Sequence, residues 1–232
     1  MKELCISILR KKRLALLGSA LLLPVLLLAV TRFKIAATDV QIKELLNALE
    51  VFYPFFASLF ICCVLPRKTE AELIVLSGNS LIIATLWEFL AFFGIALVSG
   101  EVAGMFLLPA WANLRFALSF PVTLFFLFAL ALFVRFAVDN VFANLGVHTG
   151  LFMLLFLTSG MGPETPVTRA LTRIDLFVNG YAHLLYSDAT GYWYLRFGDV
   201  LRNRLLFLLI GALIFGFAIL LSKQTRLYNV KR

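Results

Sequence analysis

The chain has 232 residues, of which 62% are hydrophobic, 14% aromatic and 15% charged. The charged fraction lies well below the roughly 25% of an average soluble domain, so the composition excludes an ordinary soluble protein and indicates one that lies in lipid. The net charge is +8, but its clusters, such as Arg10 to Arg13, lie beside apolar runs. That placement is typical of membrane topology signals, and nucleic acid is not an expected partner.

Six apolar segments are each long enough to form a membrane-crossing helix, since about 20 apolar residues span the hydrocarbon core. We predict one all-α integral membrane domain over residues 1–232, with spans at about 14–30, 45–65, 81–98, 116–134, 141–157 and 205–221. The segment from Gly100 to Asn113 is predicted as the turn before the fourth span. Arg135, Asp139 and Asn140 form the polar break after it.

The distribution of positive charge predicts the topology. An even number of spans places both termini on one side, and that side carries more of the 21 lysines and arginines than the other. The positive-inside rule therefore predicts cytoplasmic termini in a multi-pass protein of the cell membrane. The basic ends also attract anionic headgroups, so membrane lipids are expected partners.

The longest segment outside the predicted spans lies between spans five and six, over residues 159–204. Thr165 as a helix cap and Pro166 at the first helical position indicate a helix start. Apolar residues at helical spacing follow from Val167 to Tyr181, with polar residues on the opposite face. We predict amphipathic outer helices here, lying at the membrane surface or, as the alternative, re-entering the membrane to close a pathway.

The chain lacks the sequence patterns of common catalytic sites. It has no His-Glu-x-x-His zinc pattern, no Gly-x-Ser-x-Gly nucleophile and no phosphate-binding loop. Its three cysteines, Cys5, Cys62 and Cys63, do not have the spacing of a disulfide framework or a zinc site. We therefore expect no catalytic, cofactor or metal site in this chain.

Three ionisable residues fall within the predicted spans, namely Glu50, Glu88 and His148. A charged group at the centre of a bilayer costs at least about 2.5 kcal/mol, so it normally faces a polar partner or a cavity. These residues are our candidates for lining a translocation path. The alternative is structural, with protonated or paired carboxyl groups and a hydrogen-bonded neutral imidazole that join neighbouring helices.

The segment after the second span carries a resemblance to a known family. From Arg67 to Gly78 it reads Arg-Lys-Thr-Glu-Ala-Glu-Leu-Ile-Val-Leu-Ser-Gly, which resembles the acidic, Thr-containing segment after the second helix of type-2 ABC exporter permeases. The resemblance extends to six spans, a basic N-terminus and a long outer segment, followed by Trp193 and the pair Asn203 and Arg204 before the last helix. It departs at residues 78–80, where the family usually has Pro-Val-Ser.

The resemblance implies a function and a set of partners. The segment would form a cytoplasmic coupling helix seated on a separate ATP-binding-cassette ATPase, through Arg67, Lys68, Glu70, Glu72, Leu73 and Leu76. That ATPase would hold ATP and Mg, and a second permease subunit, identical or similar, would complete the membrane domain. The chain would then be a non-enzymatic subunit of a bacterial exporter for a hydrophobic or amphipathic peptide, drug or lipid-like substrate. The alternatives are an ion-coupled carrier or channel, or an intramembrane enzyme.

Overall fold

The computed structural model describes residues 48–64, 81–108, 110–138, 140–159 and 197–229, and all their regular elements are helical. A π-helical turn, Ala48–Phe52, leads into α1, Tyr53–Val64. The other helices are α2, Leu81–Leu107; α3, Ala110–Val138; α4, Val141–Ser159; and α5, Phe197–Asn229.

Three of these helices are long and apolar enough to cross a membrane, over Ile82–Leu107 in α2, Phe116–Val138 in α3 and Leu201–Ser222 in α5. The apolar helices Ala48–Cys63 and Val141–Leu154 are shorter. The all-helical prediction is thus confirmed for the described residues, and the fold is compatible with a transmembrane protein. The first predicted span, the coupling segment from Arg67 to Leu76 and the amphipathic outer helices lie outside the described residues, so six spans stay a prediction.

The prediction of a turn from Gly100 to Asn113 was wrong. Helix α2 continues through Gly100 to Leu107, and α3 already begins at Ala110. The Leu108 amide still donates to the Gly104 carbonyl at 3.0 Å. In apolar surroundings the backbone must satisfy its own hydrogen bonds, and glycine is accordingly tolerated inside such helices.

Helix α3 is the centre of the bundle. It packs against α1, α2, α4 and α5, and its span is the most buried of the three long ones. Its apolar side chains Leu124, Phe128 and Leu132 are almost completely buried in the main core. The polar side chains Ser119, Thr123 and Arg135 of α3 are buried as well, so they are placed between helices rather than towards lipid.

The contact between α2 and α3 depends on two glycines. Gly100 and Gly104 lie one turn apart on α2, and the rings of Phe120 and Phe116 on α3 fill the space above them. These two rings stack on each other with centroids 5.0 Å apart. Small residues at this spacing allow close approach of membrane helices, so the glycines fix how α2 lies on α3.

Candidate functional site: two buried polar clusters

All three ionisable residues predicted within the spans are buried, since Glu50, Glu88 and His148 expose only 2%, 3% and 1% of their surface. Their side chains thus point into the helix bundle, as the prediction of a functional or structural role inside the protein requires. The structure places Glu50 and His148 in separate groups of polar side chains. Glu88 is buried on α2, one turn after the buried Thr85.

The first group, which we call the Glu50 cluster, consists of Glu50, Ser119, Thr123 and Arg204. Glu50 lies in the π-helical turn before α1, Ser119 and Thr123 lie one turn apart on α3, and Arg204 lies in the first part of α5. None of the four is more than 4% exposed. π-Helical turns are rare and often occur at functional sites.

One arm of the Glu50 cluster is hydrogen-bonded. The Arg204 guanidinium donates from Nη1 to Thr123 Oγ1 at 3.0 Å, and the Thr123 hydroxyl donates to the Ser119 carbonyl at 3.4 Å. Pro121 lies between these two α3 residues and has no N–H to donate, which loosens the backbone ladder there. The arm therefore connects α5 to a weakened part of α3.

The other arm of the Glu50 cluster is not hydrogen-bonded. The Arg204 guanidinium is close enough to attract the Glu50 carboxyl group, and the Ser119 hydroxyl faces it. Yet the two carboxyl oxygens of Glu50 have no hydrogen-bond partner within the part of the chain that the structure describes, and the Ser119 hydroxyl has none there either. Unsatisfied buried polar atoms are uncommon in proteins and call for an explanation.

Residues close in sequence to Glu50, Thr123 and Arg204 form a largely aromatic core cluster. Val51 and Phe55, which follow Glu50 in sequence, belong to a core cluster with Phe126, Phe152 and Phe207. The Phe55 and Phe152 rings stack at 4.0 Å, and the Phe126 and Phe207 rings meet edge to face at 5.1 Å. Because such surroundings screen charge poorly, the guanidinium and the carboxyl group interact more strongly here than they would in water.

The second group, which we call the His148 cluster, joins α4 to α1 and α3. The His148 ring approaches the Asn144 carbonyl through Nδ1 and the Leu127 carbonyl through Nε2, each at 3.0 Å. The Cys62 sulfur lies 3.6 Å from Nδ1. Asn144 adds a second link, since its amide donates to the Ala131 carbonyl of α3 at 2.9 Å.

The structural alternative for His148, an imidazole bonded to a neighbouring helix, agrees with this geometry. A neutral imidazole has one N–H, so it donates to only one of the two carbonyl oxygens that its nitrogens face. The doubly protonated ring donates to both. The His148 cluster thus joins neighbouring helices, and its two carbonyl oxygens are placed to accept hydrogen bonds from a doubly protonated ring.

The sequence pattern did not identify Ser119 and Thr123 as partners of an ionisable residue, and Arg204 was notable only as part of the resemblance. Arg204 precedes the predicted last span, but α5 begins at Phe197 and carries Arg204 inside the bundle. The signal for Thr123 and Ser119 was present, since both are polar residues in an otherwise apolar segment. Their spacing of four residues places them on one helix face.

The described residues contain no group of three His, Cys, Asp or Glu side chains that could hold a metal ion. Chemically, the two clusters offer proton-binding groups and one cation in an apolar interior. No family model, no curated protein and no solved structure matches the chain.

Proposed function

We propose that this chain is the membrane-spanning permease subunit of an ATP-binding-cassette exporter. It would move a hydrophobic or amphipathic substrate, and a separate ATPase would supply the energy. The observation that carries the proposal is the buried Glu50 cluster, in which a carboxyl group and a guanidinium lie between apolar helices. Such groups inside a membrane protein normally mark a pathway or a conformational contact.

The connection along the chain gives this cluster a route to an ATPase. The coupling segment predicted from Arg67 to Leu76 lies directly between α1 and α2 in sequence. A displacement of that segment would move the ends of both helices, and the π-helical turn with Glu50 is continuous with α1. The helices would then move relative to α3, where Ser119 and Thr123 lie. Coupling of this kind requires two conformations that nucleotide binding favours differently.

The proposal is tested by finding the partner. The tagged chain is purified from its native host in mild detergent, and co-purifying proteins are identified by mass spectrometry, for the wild type and for Glu72→Lys. We expect an ATP-binding-cassette ATPase with the wild type and much less of it with Glu72→Lys. Lys223→Glu is the matched control, because it reverses a charge on the same predicted side of the membrane but outside the coupling segment. It should leave the amount of recovered ATPase unchanged.

The recovered proteins also decide between forms of the proposal. A second, different permease in the same sample indicates a heterodimer, and its absence beside a recovered ATPase indicates a pair of identical chains. Recovery of the chain without any ATPase, in several detergents, contradicts the exporter proposal.

A second candidate function is an ion-coupled carrier, and the His148 cluster is the observation that favours it. Two carbonyl oxygens face the two ring nitrogens at 3.0 Å, so the site can accept a proton without rearrangement of its partners. The test is a proteoliposome that contains the purified chain alone and a pH-sensitive dye. Proton flux that depends on His148 and needs no ATPase favours the carrier over the exporter.

A further inference from the structure

The two unpartnered oxygens of Glu50 are the starting observation. They are buried at 2% exposure, and neither accepts a hydrogen bond among the described residues. An ionised carboxylate accepts hydrogen bonds only, through two oxygens with about four lone-pair sites. Burying a charged carboxylate without such bonds is far more costly than burying a neutral carboxyl group.

The neighbouring groups include donors, but in this conformation none of those described makes a hydrogen bond to the Glu50 oxygens. The Ser119 hydroxyl faces the carboxyl group and lacks a partner itself. Its oxygen can accept a hydrogen bond from a protonated carboxyl group. The charged group that acts on Glu50 is the Arg204 guanidinium, but its Nη1 donates to Thr123 at 3.0 Å. Tyr53, the next polar residue along the chain and the first of α1, donates its hydroxyl to the Ala96 carbonyl of α2 at 3.1 Å.

We infer that Glu50 is a proton-binding site, and that in this conformation it holds a proton as a neutral carboxyl group whose O–H faces Ser119. A proton needs no cavity, which agrees with the close packing of Ser119, Thr123 and the neighbouring rings. The site releases this proton to water when Arg204 leaves Thr123 and donates to Glu50 instead. The charges balance: the neutral carboxyl group gives a carboxylate and a proton that leaves to water, and the carboxylate is then paired with the Arg204 guanidinium.

The proposed permease thereby gains a ligand, the proton on Glu50, and a switch, the change of partner of Arg204. Neither depends on an ATPase. A movement of α5 relative to α3 breaks the contact between Arg204 and Thr123, so it changes what faces Glu50. Binding and release of the proton are thus linked to helix position in either an ATP-driven or an ion-driven transporter.

The test is infrared spectroscopy of the full chain in lipid nanodiscs near neutral pH. Exposed carboxyl groups are ionised there, so the carbonyl band of a protonated carboxyl group reports buried sites. We expect the difference spectrum between wild type and Glu50→Gln to show such a band, and we expect Ser119→Ala to shift its frequency. Asp188→Asn, in the polar segment predicted between spans five and six, is the control that should leave this band in place.

Both possible results decide the question. If Glu50→Gln removes only the bands of an ionised carboxylate, Glu50 carries no proton and the inference is wrong. If the variant does not fold, the comparison of wild type with Ser119→Ala takes its place, and a protonated carboxyl band that does not change overturns the assignment of Ser119 as its acceptor. Neither result bears on whether an ATPase co-purifies, so a failure here is distinguishable from a failure of the proposed function.

Discussion

The Arg204 guanidinium of α5 donates a hydrogen bond to the Thr123 hydroxyl of α3 at 3.0 Å, with both residues buried. It is a long-range contact, and it joins the most buried of the long helices to the least buried one. The contact also determines where the only cation of the Glu50 cluster lies. A change at Thr123 is therefore expected to act on the packing of α5 and on the surroundings of Glu50 together.

Replacing Thr123 by Val removes the acceptor and keeps the shape of the side chain. Hydrogen bonds between membrane helices contribute about 0.6 kcal/mol on average and up to about 1.7 kcal/mol, so we expect a loss of about 1 kcal/mol in the free energy of unfolding. Thermal unfolding in detergent measures it. Thr123→Ser keeps the hydroxyl and should retain most of the stability, and equal stability of wild type and Thr123→Val would show that Arg204 does not depend on this bond.

Gly100→Ala is expected to disrupt the contact between α2 and α3. A Cβ at Gly100 would overlap the tip of the Phe120 ring, and Phe120 is completely buried between Tyr53 and Phe116. The ring has no free space to move into, and overpacking of this kind typically costs about 1 to 3 kcal/mol. The same unfolding measurement should show a destabilised variant.

Gly94→Ala is the matched control for that substitution. Gly94 lies on the same helix, and a Cβ there has no atom within 4 Å. Alanine favours the helix over glycine by about 1 kcal/mol, so this variant should be as stable as the wild type or slightly more stable. In the background of Gly100→Ala, the smaller Phe120→Leu should restore part of the lost stability. A Gly100→Ala protein that unfolds like Gly94→Ala would contradict the close contact.

The sequence predicted the helices well because an apolar medium leaves few alternatives. The backbone must satisfy its hydrogen bonds within each helix, so the apolar runs marked the positions of α1 to α5. The helix ends were harder to predict. Gly100 and the polar residues around Arg204 looked like boundaries, whereas α2 continues past the first and α5 begins before the second.

The sequence could identify individual residues of the candidate site, but not which of them contact each other. Glu50 and His148 stood out because ionisable residues are rare in spans, and both are buried. Their partners could not be derived, because the order and rotation of helices depend on packing details such as Gly100 against Phe120. Thr123 and Arg204, which are 81 residues apart, meet only through that packing.

Asn140→Ala is expected to loosen the start of α4. The Asn140 side-chain oxygen accepts hydrogen bonds from the amides of Phe142 at 2.8 Å and Ala143 at 3.4 Å, which makes it the helix cap. Loss of such a cap costs about 1 kcal/mol. Hydrogen exchange should become faster at these two amides. Asn140→Asp keeps the acceptor and should preserve their protection, and unchanged exchange in Asn140→Ala would exclude the cap.

His148→Leu tests whether the His148 cluster holds α4 against the bundle. The ring lies between the Asn144 and Leu127 carbonyls, and the contact with Leu127 reaches from α4 to α3. Leucine fills a similar space without any N–H, so the variant should lose about 1 to 2 kcal/mol of stability by the range for hydrogen bonds between membrane helices. Val147→Ala, at the neighbouring and 42% exposed position, should change stability by no more than about 0.5 kcal/mol. His148→Gln retains a side-chain amide donor, so its stability should fall between those of His148→Leu and Val147→Ala. If His148→Leu is as stable as Val147→Ala, the histidine has no structural role, and the case for a proton-carrying role becomes stronger.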